Sequence, residues 1–325
     1  MGAVKAPLMC MSVFRQIFCL KNLISFMGLI GDMQSEIEGR SLPNGGWAGG
    51  TNIRSSVETT CYGLMAMHDR RSAARDNAID FLLRIRNRDG SWPAFDGDDA
   101  DGCWTTALAL IALRFVSRSF PDLNRSLSWL VRNRGREGHW FWKWKFKTVD
   151  RAVQFDPDKF GWPWFSGTVS WIVPTAFTLI AFRQSLACCR GAEMANRVEL
   201  GTAMLLDRAC PSGGWNAGNG IVFGSALKPH IDSTAIALLA LSGNADSTAV
   251  QSLNWLHQAC IDCSSIYSLS WAVLALLTHG DAALNRCARG LLRALSARSV
   301  SDIEALSLAM IAMNAVQGNG NPFEW

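Results

Sequence analysis

Three carboxylates stand at matching places in the chain. Glu58, Asp232 and Glu304 each open an apolar stretch rich in Ala and Leu. A carboxylate at the start of a helix satisfies free N–H groups and the helix dipole. That role holds it ionised and opposes use as an acid. A second acidic group, Asp96-Gly97-Asp98-Asp99, reads either as a solvated turn or as a magnesium site, because hard cations prefer clustered carboxylates. Magnesium is the cofactor these carboxylates suggest, and none is required. The third chemical feature is a run in which Trp140, Trp142, Trp144 and Phe146 alternate with Phe141, Lys143, Lys145 and Lys147. Period two predicts a short extended segment with aromatics on one face and mostly Lys on the other. Such a segment is either a packed flap or a lid whose rings line a cavity while its lysines meet a phosphate or an anionic membrane head group. Rings of this kind stabilise a cation by about 0.5–2 kcal/mol each.

The elements that must position these residues are repeats. A Gly-x-Trp element recurs as Gly45-Gly46-Trp47, Gly90-Ser91-Trp92, Gly138-His139-Trp140 and Gly213-Gly214-Trp215. Each is followed by a Thr-containing start and an apolar segment, as in Trp104-Thr105-Thr106-Ala107 and Asp232-Ser233-Thr234-Ala235. Weaker copies at Tyr267 to Leu276 and Glu304 to Met313 bring the total to six. The six segments are apolar nearly all round, which predicts burial on every side. Between them lie amphipathic segments at about 9–27, 72–87, 121–134, 191–209, 246–259 and 281–296. The economical arrangement is six inner helices inside six outer ones: an all-α, α6/α6 barrel. Residues 1–325 then form one domain with an insertion at about 135–171. Trp47, Trp92 and Trp215 are expected as buried anchors between helices.

Composition narrows the function. The chain has 325 residues, 49% hydrophobic and 18% charged, with a net charge of +4. Disorder is excluded, and so is the basic face that non-specific nucleic-acid binding needs. Fourteen Trp against two Tyr suggest a repeated anchor or an aromatic-lined cavity. Ten Cys without framework spacing point to a reducing, cytoplasmic compartment. Leu8 to Ile30 is too interrupted by polar residues to span a bilayer. It reads as an amphipathic helix packed on the protein or dipping into a membrane interface. The glycine-rich Gly213 to Gly220 stretch lacks the Lys-Ser/Thr of a phosphate loop.

The Gly-x-Trp turn followed by a Thr-Ala helix resembles the repeat of the terpenoid cyclase and protein prenyltransferase α/α-toroid superfamily, from Gly45 to Met313. The Gln that precedes the Gly in the squalene-cyclase repeat is missing: Ser41, Arg86 and Ala209 take its place, which implies a different staple. Class II terpene cyclases carry an Asp-x-Asp-Asp-Thr-Ala motif whose central Asp protonates an alkene or epoxide. His230-Ile231-Asp232-Ser233-Thr234-Ala235 falls on it, which implies Asp232 as the acid, with His230 placed to orient it. Glu58 and Glu304 occupy the equivalent place on their own helices. The prenyltransferase side implies zinc on Asp101-Gly102-Cys103, with the distant His falling at Ser233. The resemblance implies acid-initiated cyclisation of an isoprenoid, free or as a diphosphate. Phe95, Trp104, Trp164, Trp171 and Tyr267 would line the cavity, with Lys143 and Lys145 at the substrate's head. The alternative is a non-catalytic toroid that binds an isoprenoid and works with a protein partner.

Overall fold

The computed structural model describes residues 20–50, 53–98, 101–117, 122–150, 154–186, 191–297 and 300–325, with side chains from residue 28 onward. Thirteen α-helices occur among the described residues. In chain order they begin with α1 (Leu20–Gly39), α2 (Val57–Ala66), α3 (Ala73–Ile85), α4 (Thr105–Val116) and α5 (Leu123–Arg132). After α6 (Trp140–Thr148) follow α7 (Ile172–Ser185), α8 (Ala192–Asp207), α9 (Ile231–Ala240) and α10 (Ser247–Ala259). The last three are α11 (Ile266–Thr278), α12 (Leu284–Ala297) and α13 (Ile303–Val316). Helices α2, α4, α7, α9, α11 and α13 each pack on the next, and α13 closes on α2, completing an inner ring. Helices α3, α5, α8, α10 and α12 lie outside, each against the inner helix before it, while α1 covers α13. The architecture is the expected all-α toroid.

Burial follows sequence pattern. Every residue from Thr105 to Leu113 on α4 is buried, whereas α5 buries only Ser126, Leu127 and Leu130. An all-round apolar helix has no face to give to water; an amphipathic one covers it. The staple that replaces the missing Gln is a pair of hydrogen bonds made by one Trp. The indole Nε1–H of Trp47, Trp92, Trp162 and Trp215 donates to the last-turn carbonyls of Ile37, Leu82, Leu130 and Leu205, each at 2.7 Å. The backbone N–H of the same Trp donates to Thr60, Thr106, Thr175 or Thr234 Oγ1 at 2.9–3.0 Å. One residue thus closes an outer helix and docks the next inner helix, which explains why Gly-x-Trp and Thr recur together. Thr106→Val should strand the buried N–H of Trp92 and lower stability by about 1–3 kcal/mol, read from the urea midpoint.

Three expectations are corrected. The Gly-x-Trp copy at Trp140 is not a working copy of the element: Trp140 is 74% exposed, and the buried Trp of the third repeat is Trp162. The run from Trp140 to Lys147 forms helix α6, not an extended segment. In so short a run, every second position also supplies pairs four apart, so Trp142 meets Phe146 across one turn at 6.1 Å, and Phe141 meets Trp144, three apart, at 6.2 Å. The first outer helix runs over Leu20–Gly39 instead of 9–27, and residues 1–19 lie outside those described. The ring's axis is filled by Tyr62, Phe177, Trp271 and Phe323 in edge-on and tilted contacts of 4.9–6.0 Å. Phe323 comes from the C-terminal tail, and all four rings are buried.

Candidate active site at the mouth of the toroid

Every connection from an outer helix to the next inner helix lies at one end of the barrel, because inner and outer helices alternate in direction. These connections are sewn edge to edge. Val57 N–H donates to Ala94 O at 2.9 Å, Trp104 N–H to Trp164 O at 3.0 Å and Ile172 N–H to Ala217 O at 3.1 Å. Between them opens a cavity of about 560 Å³, lined by Glu58, Glu304, Asp302, Trp104, Phe95 and Phe165 together with Gly49, Gly50, Ser56, Ala94 and Thr105.

Two of the three aligned carboxylates meet here. Neither is a helix cap. On α2 the cap is Ser56, whose Oγ accepts from Thr59 N–H at 3.0 Å. On α13 it is Asp302, whose Oδ1 accepts from Glu304 N–H at 3.1 Å. Glu58 and Glu304 are thereby released to face the cavity. Thr59 Oγ1 donates to Glu304 Oε1 at 2.6 Å, tying the first inner helix to the last. Burial, reinforced by the charges of Glu304 and Asp302, pushes the Glu58 carboxyl up to about 8 from 4.5, against a hydrogen bond from Tyr62 that pulls it down. Burial and Asp302 also raise Glu304, while its Thr59 bond lowers it. Burial pushes the Tyr267 phenol up, and Glu58, Asp232 and Glu304 add to the shift. The mouth therefore holds a neutral carboxylic acid near physiological pH.

The aromatic wall is partly as expected. Trp104 meets Trp164 edge-on at 4.9 Å and stacks on Phe177 at 5.8 Å. Phe95 lines the cavity, and Phe165, absent from the sequence candidates, joins it. Trp171 and His230 belong elsewhere, in a second cavity of about 450 Å³ with Asn216, Asn219 and Lys228. His230 precedes α9 without making a side-chain cap bond, and Asp232 is absent from the lining of the first cavity.

The lysines are not at the mouth cavity. Lys143 pairs with Asp158 at 3.0 Å, and Lys145 lies over the Trp142 ring at 4.9 Å. The insertion is held at the rim by a buried ion pair: Arg208 donates to Glu137 Oε1 at 2.7 Å, and Glu137 accepts from Ser170 N–H at 3.1 Å. Asp96 accepts from Asn44 at 2.8 Å and Asp98 is exposed. Asp99 lies outside the described residues. Among the described residues no three His, Cys, Asp or Glu side chains group as metal ligands would. Cys103 bonds Thr105 Oγ1 at 3.1 Å.

No protein-family model matches the sequence, and no curated protein is similar to it. Solved structures share its shape. The reducing-end-xylose releasing exo-oligoxylanase is 11% identical with a TM-score of 0.61, covering 96% of each chain. A GH76 α-mannanase from Bacteroides thetaiotaomicron is 10% identical with a TM-score of 0.62, over 90% of this chain and 96% of that one. The type II terpene cyclase MstE from Scytonema is 15% identical with a TM-score of 0.56, over 85% and 80%. These likenesses establish an α/α toroid, a fold shared by glycosidases and terpene cyclases alike.

Proposed function

We propose that the chain is an acid catalyst that opens an uncharged, oxygen-bearing isoprenoid, such as an epoxide, and guides the resulting cation to a cyclic product. The observation that carries this reading is the Glu58 carboxyl, held protonated to about pH 8 in a cavity walled by Trp104, Phe95 and Phe165. An acid of that strength is weak toward an alkene carbon and competent toward an oxygen lone pair. Glu58 gives its proton to the oxygen as the C–O bond breaks. The cation left behind faces aromatic rings and the Glu304 and Asp302 carboxyls, which favour positive charge. Loss of a proton from the final cation to Glu58 restores the acid.

The rest of the lining fits an apolar substrate. Ser56 is engaged with Thr59, and Thr105 Oγ1 donates to Pro93 O at 3.0 Å. Among the described residues no basic side chain lines the cavity and three carboxyls do, which disfavours a diphosphate head. A second reading, glycoside hydrolysis, is favoured by the pairing of two carboxyls, Glu58 and Glu304, in one cavity.

Product mass separates the two. Incubation with oxidised polyprenes should yield isomers of unchanged mass, whereas oligosaccharide hydrolysis adds one water per bond cut. Isomerised epoxide with intact oligosaccharide is the expected result. Hydrolysed oligosaccharide with unchanged epoxide would replace the isoprenoid reading with the glycosidase one.

A further inference from the structure

The large apolar side chains left in water are not scattered. Among the described residues, all of the exposed ones except Val250 and Trp325 lie on outer-to-inner connections, and so at the mouth end of the toroid. The densest group is Trp140, Phe141, Trp144 and Val149, with Phe223 and Leu227 on the hairpin Ile221–Ala226 and just beyond it. Trp140 is 74%, Trp144 55% and Phe223 81% exposed. Gln154 N–H donates to Ile221 O at 3.3 Å, so the hairpin adjoins the insertion. Ile53, Phe165 and Ile261 continue the apolar end around the ring.

Helix α6 sorts its residues into two faces. Trp142 is clamped between Arg136 and Lys145 at 4.6 and 4.9 Å, and Phe146 packs on Phe155 at 5.2 Å. Trp140, Phe141, Trp144 and Thr148 follow the helical spacing on the opposite, outward face. The helix carries three Lys and no acid. Of the nearby acids, Asp158 pairs with Lys143 and Lys147, Asp156 pairs with Lys159, and Asp150 follows the end of the helix. Lys228 adds another exposed cation beside Leu227. Outward Trp and Phe beside Lys is the composition that seats a helix in the plane of a bilayer interface, with rings at the acyl boundary and cations at the head groups.

We propose that the mouth end of the toroid docks on an anionic lipid bilayer through the outward face of α6 and the Phe223 hairpin. A bilayer is chosen over a protein partner because the apolar tips come from several separate connections at one end, as a flat partner requires, and because the helix that bears most of them is basic. The contact proposed is peripheral, and among the described residues no helix is long and apolar enough to cross a membrane. It does not depend on the chemistry of Glu58.

The test uses the full chain and sedimentation with vesicles of phosphatidylcholine alone or mixed with phosphatidylglycerol. Wild type should pellet with the anionic vesicles and much less with the neutral ones. Replacing Trp140, Phe141 and Trp144 together by Ser should weaken binding by roughly tenfold or more. Lys145→Gln with Lys228→Gln should weaken only the anionic binding, and high salt should mimic it. Val250→Ser, exposed on an outer helix, should bind as wild type. All of these positions are at the surface, so unchanged melting temperatures certify the comparison. Wild type left in the supernatant with both vesicles would overturn the proposal. So would lipid-independent dimerisation abolished by the triple variant, which would assign the surface to a second copy of the chain.

Discussion

Glu58→Gln should abolish turnover, by several orders of magnitude, while the barrel stays folded. The amide keeps the shape of the carboxyl and has no proton to give to a leaving oxygen. Wild-type activity should fall as pH climbs through about 8, where the acid form is lost. The same substitution carries an opposite effect on stability. Glu58 titrates at 4.5 when unfolded and at about 8 when folded. A group raised on folding contributes stability that is complete below the lower value and is lost as pH rises through the upper one. Wild type should therefore weaken between pH 4.5 and 8, by on the order of 2–4 kcal/mol. The amide of the Glu58→Gln variant does not titrate, so that protein should show a flatter profile and exceed wild type in alkali. Urea midpoints at pH 5 and pH 9 for both proteins measure this. Parallel profiles would mean that Glu58 ionises as an ordinary surface carboxyl, and the acid assignment would go with it. Asp232→Asn is the comparison: with its carboxyl off the cavity wall, turnover should stay within about tenfold of wild type.

Trp162→Ala should lower stability by about 3–5 kcal/mol, as truncation of a fully buried Trp does. It removes the indole bond to Leu130 and the packing against Phe182 at 5.5 Å. Trp140→Ala should change stability by less than about 0.5 kcal/mol, because its ring is mostly in water. Chemical denaturation of the pair decides which Trp anchors the third repeat. Equal losses would make the insertion part of the core and undo its description as a rim element.

The ring of helices could be read from residues because burial on all sides leaves an unmistakable Ala- and Leu-rich signature, copied six times. The staple was half visible. Gly-x-Trp marks three anchors, Trp47, Trp92 and Trp215; the fourth, Trp162, escapes it because Gly161-Trp162 lacks the intervening residue. Spacing to Thr is a loose guide: Trp47, Trp92 and Trp162 stand 13, 14 and 13 residues before their Thr, but Trp215 stands 19 before Thr234. Helix α6 was hidden by an eight-residue pattern that satisfies two periods at once. The site was legible as a set of equivalent positions but not as a place. Resemblance to the cyclase motif drew attention to Asp232, whereas proximity selects Glu58 and Glu304. Those two are far apart along the chain and adjacent only because a linear repeat has been bent until its ends meet. Nothing local in the sequence encodes that adjacency, and nothing local marks Phe323 as a core residue.

The joint between α13 and α2 has a consequence for how the protein comes to life. Thr59 and Glu304 are bonded across 245 positions of chain, at the point where the earliest and latest inner helices touch. While the ribosome is still at work, Glu58 has no Glu304 beside it and no wall to bury it, so it ionises like any free glutamate. Its unusual hold on its proton is complete only when the last inner helix arrives and shuts the circle. The raised Glu58 carboxyl is therefore a property of closure and not of any fragment: a half-made ring carries every residue of its own part and lacks it, and its appearance on mixing two halves would time the moment of joining.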